Sequence, residues 1–439
     1  MSTTEETREG FYLGEDGEWI PDGWELKLAE DVCSLIVDCV NKTAPKVDHP
    51  TQFRMIRTTN IRHGRLNLQD VKYVDEETFT TWTRRAKLEK DDVLLTREAP
   101  IGEVCSIGNG EGLFLGQRIM QYRADKSVFH PPFLYWVFRS SALREQFLMH
   151  EGSGSVVSHI RVGDCFKFKT PTPSLPEQKA IAAVLGSLDD KIELLREQNE
   201  TLETLAQTLF KRWFIDFNFP DENGNPYKDS GGKMIPSELG EIPEGWNVSN
   251  ISTCSEHIKI SVKPDKHPTL TYNHYSLPAF DNGMQPVNEN GSEIKSNKYE
   301  VLPKSILVSK LNPGTPRIWQ IQLVPENSIC STEFQVVKPS GETFGYVYSA
   351  VKNPAYTREL SGRAGGTSSS HQRVSPADIF DVPLAMSENL EFEEQFSSIM
   401  GVSLEKLDHN RSKIQTLTAL RDTLLPKLMN GEVRVPVDA

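Results

Sequence analysis

Length and composition are typical of a soluble, globular, multidomain protein, since 37% of the 439 residues are hydrophobic and 25% are charged. No apolar run approaches the roughly 18 residues that a membrane helix needs, and the acidic start, MSTTEETREG, lacks the hydrophobic region of a secretory signal. Six scattered cysteines without a CxxC pair argue against a disulfide framework or a metal site, so we expect a cytoplasmic protein.

The net charge of −13 is unevenly distributed along the chain. Residues 1–31 carry −8, and residues 177–216 and 388–432 carry −3 each, which leaves the rest of the chain at +1. The regions between these acidic segments can therefore present basic faces to a nucleic acid despite the acidic total.

In chain order, the sequence predicts two globular regions, each followed by a long helix. The first globular region opens with the sequence PDGW, and PEGW opens the second 222 residues later. The segment between the first helix and the second region is rich in Pro, Gly, Asp and Asn, so we expect an exposed linker. The predicted boundaries are an acidic tail at 1–20, a globule at 21–175, a helix at 176–217, a linker at 218–244, a globule at 245–387 and a helix at 388–432.

Matching segments recur in the same order in the two halves. LEKDDVLLT at 88–96 resembles LPKSILVS at 302–309, and SHIRV at 158–162 resembles SHQRV at 370–374. This order indicates a tandem duplication. The predicted fold class is therefore α+β, with two mixed, β-rich globules separated by two long antiparallel coiled-coil helices and related by a pseudo-twofold axis.

The two helices have apolar residues at alternating spacings of three and four, the pattern of a coiled coil. In an antiparallel pair the facing residue numbers sum to a constant, and a sum of 609 places Asn199 opposite Asn410 as a register-fixing polar layer. Leu188 against Arg421 is the poorest layer, and the alternative is that each seam binds another helix. The apolar layers are Leu185–Leu424, Ile192–Leu417, Leu195–Ile414, Leu202–Leu407, Leu209–Met400 and Trp213–Phe396.

No catalytic residues are predicted, because the chain contains no GxxxxGK[ST], GxSxG or HExxH sequence. HPPF at 130–133 and NPAY at 353–356 resemble the catalytic tetrapeptide of amino-methyltransferases, but each departs from it at one position and neither follows a glycine-rich cofactor loop. We interpret both as helix starts marked by proline.

A basic segment at 53–65, FRMIRTTNIRHGR, is the strongest candidate for DNA contact in the first globule. It holds four arginines, and no acidic residue lies between Pro50 and Gln69. Arginine with asparagine and threonine can contact phosphates and base edges, although a solvated strand edge would look the same. The candidates here are Arg54, Arg57, Thr58, Thr59, Asn60, Arg62, His63 and Arg65.

The equivalent segment of the second globule, LTYNHYSLPAFDNG at 270–283, has no arginine and more aromatic residues, which indicates that the two globules bind different sequences. Its candidates are Tyr272, Asn273, His274 and Tyr275. Near shared turns lie Arg97, Gln117 and Arg118 in the first globule and Lys310, Asn312 and Arg317 in the second. The repeated SHxRV segments add Ser158, His159, Arg161, Ser370, His371 and Arg373, which either lie near DNA or brace their loops.

The chain resembles the specificity subunit of type I restriction–modification systems. The resemblance is carried by LPEQ at 175–178 with Ile181, LDDKI at 188–192, LAQTLFKRWFIDF at 205–217 and the Pro-x-Gly-Trp sequence before each globule. It extends over nearly the whole chain from about Pro21. The start of the second helix departs from the Leu-Pro-x-x-Glu-Gln pattern but keeps Glu394-Gln395.

The resemblance implies a non-catalytic subunit in which each globule is a target-recognition domain for one half of a split, asymmetric DNA site and the coiled coil sets the spacer. It further implies two modification subunits that bind S-adenosylmethionine and two restriction subunits that use ATP and Mg²⁺. Two other readings are a two-headed adaptor for protein ligands and a self-contained methyltransferase. Binding that weakens steeply with salt would favour DNA over a protein ligand.

Overall fold

The computed structural model describes residues 8–14, 17–40, 42–150, 159–365 and 372–436. The chain forms two compact units, the first made of residues 1–191 with 417–439 and the second of residues 192–416. Each unit combines small β-sheets, short helices and parts of two long helices. Within the described ranges, no helix has both the length and the apolarity that crossing a membrane requires.

The described residues of the first unit form thirteen short strands, four short α-helices and the start of a long one. The strands are β1 (Phe11–Leu13), β2 (Trp19–Pro21), β3 (Glu25–Leu28), β4 (Cys33–Asp38), β5 (Phe53–Ile56), β6 (Ile61–Arg62), β7 (Arg65–Leu66), β8 (Lys72–Val74), β9 (Val93–Thr96), β10 (Val104–Ser106), β11 (Leu113–Leu115), β12 (Ile119–Ala124) and β13 (Lys169–Thr172). The helices are α1 (Ala29–Val32), α2 (Glu76–Trp82), α3 (Pro131–Arg139), α4 (Ser141–Leu148) and the long α5 (Leu175–Phe210).

The second unit repeats this composition. Its strands are β14 (Met234–Ser237), β15 (Gly240–Pro243), β16 (Trp246–Ser249), β17 (Ser255–Ile258), β18 (Ser261–Val262), β19 (Thr271–Tyr275), β20 (Val287–Asn290), β21 (Lys298–Glu300), β22 (Ser305–Ser309), β23 (Ile318–Ile321), β24 (Ser328–Ser331), β25 (Phe334–Pro339) and β26 (Leu384–Ser387). Its helices are α6 (Leu277–Asp281), α7 (Phe344–Lys352), α8 (Pro354–Gly362), α9 (Pro376–Phe380) and the long α10 (Glu391–Met429).

The sheets of the two units share one topology, which confirms the tandem duplication. The four-stranded antiparallel sheet has the order β10-β9-β12-β4 in the first unit and β23-β22-β25-β17 in the second. The other sheet contains a parallel pair in each unit, β11 with β5 and β24 with β19. The second unit extends this sheet by β21 and β18, giving the order β18-β21-β24-β19-β20 against β11-β5-β8.

The short helices begin where the sequence supplies a cap or a proline. Pro131 and Pro354 occupy the first positions of α3 and α8, so HPPF and NPAY are helix starts, as predicted. The Asn353 side chain accepts a hydrogen bond from Ala355 N at 2.9 Å, which satisfies one of the free amides of α8. These residues therefore have a structural role at the starts of α3 and α8.

The long helices pair in antiparallel register. In the second unit Asn410 Nδ2 donates to Asn199 Oδ1 at 2.9 Å, and Trp213 packs on Phe396 with ring centroids 5.9 Å apart, both as the sum of 609 predicted. In the first unit Arg421 lies next to the Leu188 layer and donates to Asp189 Oδ1 at 2.5 Å. The carboxylate explains how the seam accepts an arginine at this layer.

The end of α5 departs from the regular helix predicted up to residue 217. After Phe210 the chain forms one π-helical turn, Lys211–Ile215. The wider turn brings the adjacent rings of Trp213 and Phe214 onto Phe396, at centroid distances of 5.9 and 5.4 Å. A π-turn in a long helix is produced by such local packing, which the heptad pattern does not encode.

The segment predicted as an exposed linker is partly structured and partly buried. It contains the β14–β15 hairpin, and Phe219 stacks between Trp246 and Tyr227 at centroid distances of 5.1 and 4.7 Å. Burial of this one aromatic ring outweighs the loop-forming composition around it, because an exposed Phe would forfeit about 1.5–3 kcal/mol of transfer free energy.

The end of α10 closes the first unit. Gly431 adopts a φ of +70°, and a Cβ there would lie 2.4 Å from Pro21 Cγ, so glycine is required on both counts. Beyond it, Arg434 forms two hydrogen bonds with the buried carboxylate of Glu177, at 2.6 and 3.0 Å, and lies over the ring of Trp24. Trp24 Nε1 donates to the same carboxylate at 3.1 Å.

The polar layer generates a stability prediction. Asn410→Ala leaves the Asn199 amide without its partner in a largely dry seam, so we expect the unfolding free energy to fall by about 1–2 kcal/mol. The double variant Asn199→Leu with Asn410→Leu should recover the loss, because it removes both amides together. Thermal unfolding of the full chain measures this, with Val402→Ala on the exposed surface of α10 as the control. Equal midpoints for Asn410→Ala and the control would contradict the prediction.

Candidate nucleic-acid interface

The basic segment of the first unit folds into a strand, a turn and a tight hairpin. β5 leads into a 3₁₀ turn at Thr58–Asn60, and β6 and β7 then pair Arg62 with Arg65 across a two-residue turn. The turn residues His63 and Gly64 have φ of +54° and +82°, the backbone twist that favours short hairpins. The hairpin thus presents two arginines side by side.

Asn60 holds the base of this hairpin together and is not a surface residue, contrary to the role predicted for it. The residue is 4% exposed, its Oδ1 accepts from Arg57 N at 2.8 Å, and its Nδ2 donates to the carbonyls of Asn67 and Asp70, both at 3.0 Å. A buried amide with donor and acceptor both satisfied has nothing left to offer a base edge.

The arginines of the segment have different partners. Arg57 Nη2 donates to the Asp70 carbonyl at 2.6 Å and to its carboxylate at 2.8 Å, which lowers the pKa of Asp70. Arg62 Nη1 donates to the carbonyls of Thr58 and Ile61 at 2.5 and 2.6 Å. Arg54 is half-buried on β5, and Thr58 is also half-buried, whereas Thr59, His63 and Arg65 are exposed.

The other candidates of the first unit converge on the same edge through main-chain hydrogen bonds. Because β5 and β11 are parallel, Gln117 and Arg118 emerge next to the segment after Ile56, and Gly116 N donates to the Ile56 carbonyl at 2.7 Å. Arg97 N then donates to the Arg118 carbonyl at 2.8 Å, and Ile160 N donates to the Arg97 carbonyl at 2.9 Å. The structure therefore brings together segments that lie up to about a hundred residues apart in the sequence, from Arg57 to Arg161.

Side chains along this edge are partly occupied within the protein. Arg118 forms an ion pair with Glu98 at 2.5 Å, and Arg97 Nη1 donates to the Ile160 carbonyl at 2.9 Å. The Gln117 side chain accepts from Thr43 at 3.3 Å. Arg161 is exposed, His159 is exposed at the start of its described segment, and Ser158 lies outside the described residues.

In the second unit, the segment predicted to contact DNA is an inner strand. β19 lies between β24 and β20, which leaves Tyr272 and Tyr275 only 3% and 4% exposed. Burial raises the pKa of Tyr275 to about 12. These two tyrosines, which were predicted from the sequence as candidates for DNA contact, are therefore buried residues of a strand. The aromatic density of TYNHY is typical of such a strand.

The polar residues of β19 are also bound within the sheet. Asn273 Nδ2 donates to the Glu326 carbonyl at 2.9 Å. His274 Nδ1 is hydrogen-bonded to Glu289, and burial nonetheless lowers the pKa of this histidine below its ordinary value. The Asn273 side chain therefore links β19 to the loop before β24, and the His274 side chain links β19 to β20.

The edge of the second unit repeats the main-chain connections of the first. Lys310 N donates to the Glu333 carbonyl at 2.9 Å, and Val374 N donates to the Lys310 carbonyl at 3.1 Å, which matches the bonds made by Arg97. Asn312 N donates to the Gln372 carbonyl at 2.8 Å. Arg373 pairs with the Glu333 carboxylate at 3.0 Å, whereas Ser370 and His371 lie outside the described residues.

The carboxylates that form ion pairs with the candidate arginines were not identified from the sequence. Asp70, Glu98 and Glu333 each hold an arginine of the edge, and Asp281 holds Arg317. These acids stand 13 to 40 residues from their partners in the sequence, so no local pattern marks them. The edges are therefore less basic than the arginine count indicated.

Comparisons with known proteins agree with this architecture. Residues 21–204 match the family described as the type I restriction modification DNA specificity domain. The MjaIX specificity subunit of Methanocaldococcus jannaschii is 26% identical over 356 residues, covering 79% of this chain and 78% of its own length. The HindI specificity subunit of Haemophilus influenzae is 24% identical over 420 residues, covering 79% and 87%.

Among solved structures, the specificity subunit of a type I restriction–modification system from M. genitalium has the same fold. It superimposes with a TM-score of 0.59 at 15% identity, over 92% of this chain and 96% of its own. The agreement confirms the predicted fold class, with two mixed globules and coiled-coil helices.

The ion pair between Arg57 and Asp70 generates a prediction about DNA affinity. Asp70→Asn removes a carboxylate that competes with phosphate for Arg57, so we expect tighter DNA binding and a log–log salt dependence steeper by about one ion. Arg57→Ala should act in the opposite direction. Titration of labelled duplex at several salt concentrations measures both.

Asp48→Asn is the matched control for the Asp70 variant, since Asp48 is an exposed acid of the same unit paired with Lys46 at 3.8 Å. It changes the net charge by the same amount. If Asp70→Asn and Asp48→Asn had the same effect, the gain would come from overall charge and Arg57 would not contact DNA.

Proposed function

We propose that this chain, which belongs to the family of type I restriction–modification specificity subunits, reads a split DNA sequence with one edge of each unit. As a specificity subunit it is the DNA-recognition component of such a system and not its enzyme. One observation supports recognition of a split DNA sequence. The two units share the same main-chain hydrogen bonds at their edges but have different side chains at equivalent positions.

The differences between equivalent positions favour an asymmetric target. The bonds around Arg97 and Lys310 define equivalent positions, in which Arg118 of the first unit stands where Glu333 stands in the second and His159 stands where Arg373 stands. This equivalence of His159 and Arg373 lies two residues away from the sequence alignment of SHIRV with SHQRV. Guanidinium, imidazole and carboxylate groups favour different donor and acceptor patterns on base edges. Two such edges would therefore bind different half-site sequences.

The long helices are proposed to set the number of unread base pairs and to carry the partner subunits. Residues 177–216 and 388–432 each carry a net charge of −3, which favours protein contact over contact with phosphates. By family resemblance the partners are two modification and two restriction subunits, which would hold S-adenosylmethionine, ATP and Mg²⁺. A cytoplasmic location fits this role and the six free cysteines, five of which are buried.

A methylation map of the source cell's genome tests the proposal. We expect deletion of this gene to abolish adenine methylation at one split, non-palindromic motif and to spare all other motifs. Restoring the gene should restore the motif. An unchanged map, together with salt-independent binding of the purified chain to its ligand, would overturn the proposal in favour of an adaptor for proteins.

The spacer role generates a separate prediction. One heptad inserted after Thr201 in α5 and one after Leu407 in α10 keep the seam in register, because both insertions fall between the same two layers, Asn199–Asn410 and Leu202–Leu407. Seven helical residues add about 10 Å, so we expect the unread spacer to lengthen by about 3 base pairs with both half-sites unchanged. Methylation mapping of the variant measures spacer and half-sites together.

The matched control inserts the heptad in α5 alone, which breaks the facing of Asn199 with Asn410. It should lower stability and abolish methylation without yielding a new spacer. If the double insertion changed the half-site sequences, the helices would take part in base recognition, and the prediction that they only set the spacer would be wrong.

A further inference from the structure

One scaffold position carries opposite charges in the two units. Thr96 N donates to the Glu103 carbonyl at 2.9 Å in the first unit, and Ser309 N donates to the Arg317 carbonyl at 3.0 Å in the second. Both bonds close the loop that joins an inner strand of the four-stranded sheet to the neighbouring edge strand, β9 to β10 and β22 to β23. Glu103 and Arg317 are therefore equivalent residues of a duplicated frame.

In the first unit this position holds the tip of the arginine hairpin. Glu103 Oε2 accepts a hydrogen bond from the His63 backbone N–H at 2.8 Å. Tyr135 Oη donates to the Gly64 carbonyl at 3.0 Å, and a Cβ on Gly64 would lie 2.7 Å from Arg139 Cζ. The turn between Arg62 and Arg65 is thus fixed by the carboxylate and by close packing on α3.

In the second unit the same position holds the segment that follows β19. Arg317 Nε donates to Asp281 Oδ1 at 2.7 Å and Nη2 donates to Oδ2 at 2.9 Å, at the last residue of α6. The Arg317 side chain is 18% exposed and that of Asp281 is 51% exposed. The hydrogen bonds with Asp281 raise the pKa of Arg317. A two-point contact fixes orientation as well as distance.

The two contacts differ in sign but join the same parts of each unit, the sheet loop and the segment after the parallel strand. We propose that Glu103 and Arg317 are positioning residues that orient the two DNA-reading segments, and that each segment depends on the contact that its own unit supplies. The inference rests on the proposed function. In this proposal Arg317 holds Asp281 in place, whereas the sequence predicted that Arg317 contacts DNA directly.

The physical reason is geometric tolerance. A side chain reads a base edge only when it is held within about half an ångström of its productive position, which supporting contacts must provide. A hairpin or a five-residue helix has too few contacts of its own to supply that rigidity. If the segments were exchanged, Asp281 would face the Glu103 carboxylate, and like charges would push the segment away.

The test in the second unit compares Arg317→Gln with the charge exchange Arg317→Asp plus Asp281→Arg. Each full-length variant is assembled with the modification subunit, and bound sequences are selected from random duplex DNA. We expect Arg317→Gln to weaken the preference at one half-site by about tenfold and to leave the other half-site unchanged. The exchange should restore most of the preference, because it rebuilds the pair with reversed polarity.

The matched control is the exchange of Lys233 with Glu244, an exposed ion pair of the same unit beside the β14–β15 hairpin. It should leave both half-sites unchanged. Thermal unfolding of every variant shows whether the chain remains folded, and Arg317→Lys, which keeps the charge and one hydrogen bond, should lie between wild type and Arg317→Gln.

The test in the first unit uses the chemistry of the acceptor. Glu103→Gln keeps an oxygen that can accept from His63 N, so we expect half-site preference close to that of wild type. Glu103→Ala removes the acceptor and should weaken the preference at the half-site that Arg317→Gln spares. Effects of both variants on a single shared half-site would overturn the assignment of one positioning residue to each unit.

The outcomes separate the inference from the function on which it rests. Wild type that selects no split motif would overturn the proposed function and the inference together. Wild type that selects a split motif, with Arg317→Gln unchanged at both halves, would overturn the inference alone. Loss in Arg317→Gln that the charge exchange fails to restore, in a folded chain, would also overturn it and would indicate direct contact of Arg317 with DNA.

Discussion

Neither globule can complete its hydrophobic core without both long helices. In the first unit Leu185 of α5 and Leu425 and Leu428 of α10 are buried in one cluster with the aromatic residues of α3. In the second unit Phe210 and Phe214 from the end of α5 are buried in one cluster with Tyr346 of α7 and with four residues of α10, Phe396, Met400, Leu404 and Leu407. Each fold therefore depends on the correct axial alignment of the two helices, because a shift of one turn would empty both cores.

Polar contacts at intervals fix that alignment. The amide pair of Asn199 and Asn410 tolerates one register, since any other would bury an amide against an apolar side chain. Glu203 of α5 adds a second constraint: burial alone would raise its pKa, yet Lys352 and Arg411 hold the pKa below its ordinary value. The ion pair of Arg421 with Asp189 adds a further constraint within the first unit. Partnered charges of this kind specify geometry more than they stabilise it.

Duplication with divergence is the pattern that links this architecture to DNA recognition. The sheets, the helix pairs and the main-chain bonds at each edge are common to both units, whereas the edge side chains differ in charge and size. A frame that is insensitive to these side chains allows the recognised sequence to change while the fold persists. The exchange of Glu103 for Arg317 extends this divergence to a residue behind the edge, where each unit retains the side chain that holds its own segment.

Sequence alone determined the features that repeat or alternate: the two long helices, their register, the duplication and the helix starts at Pro131 and Pro354. These follow from periodicity and local backbone chemistry, which a short window of residues contains. Only the tertiary structure decided which polar residues remain available to a ligand. Asn60 is buried and holds the base of the hairpin through its hydrogen bonds, and Tyr272 is buried within a sheet. Arg317 is bound by Asp281, 36 residues away in the chain. Such outcomes depend on neighbours brought together by folding, and no local pattern encodes those neighbours.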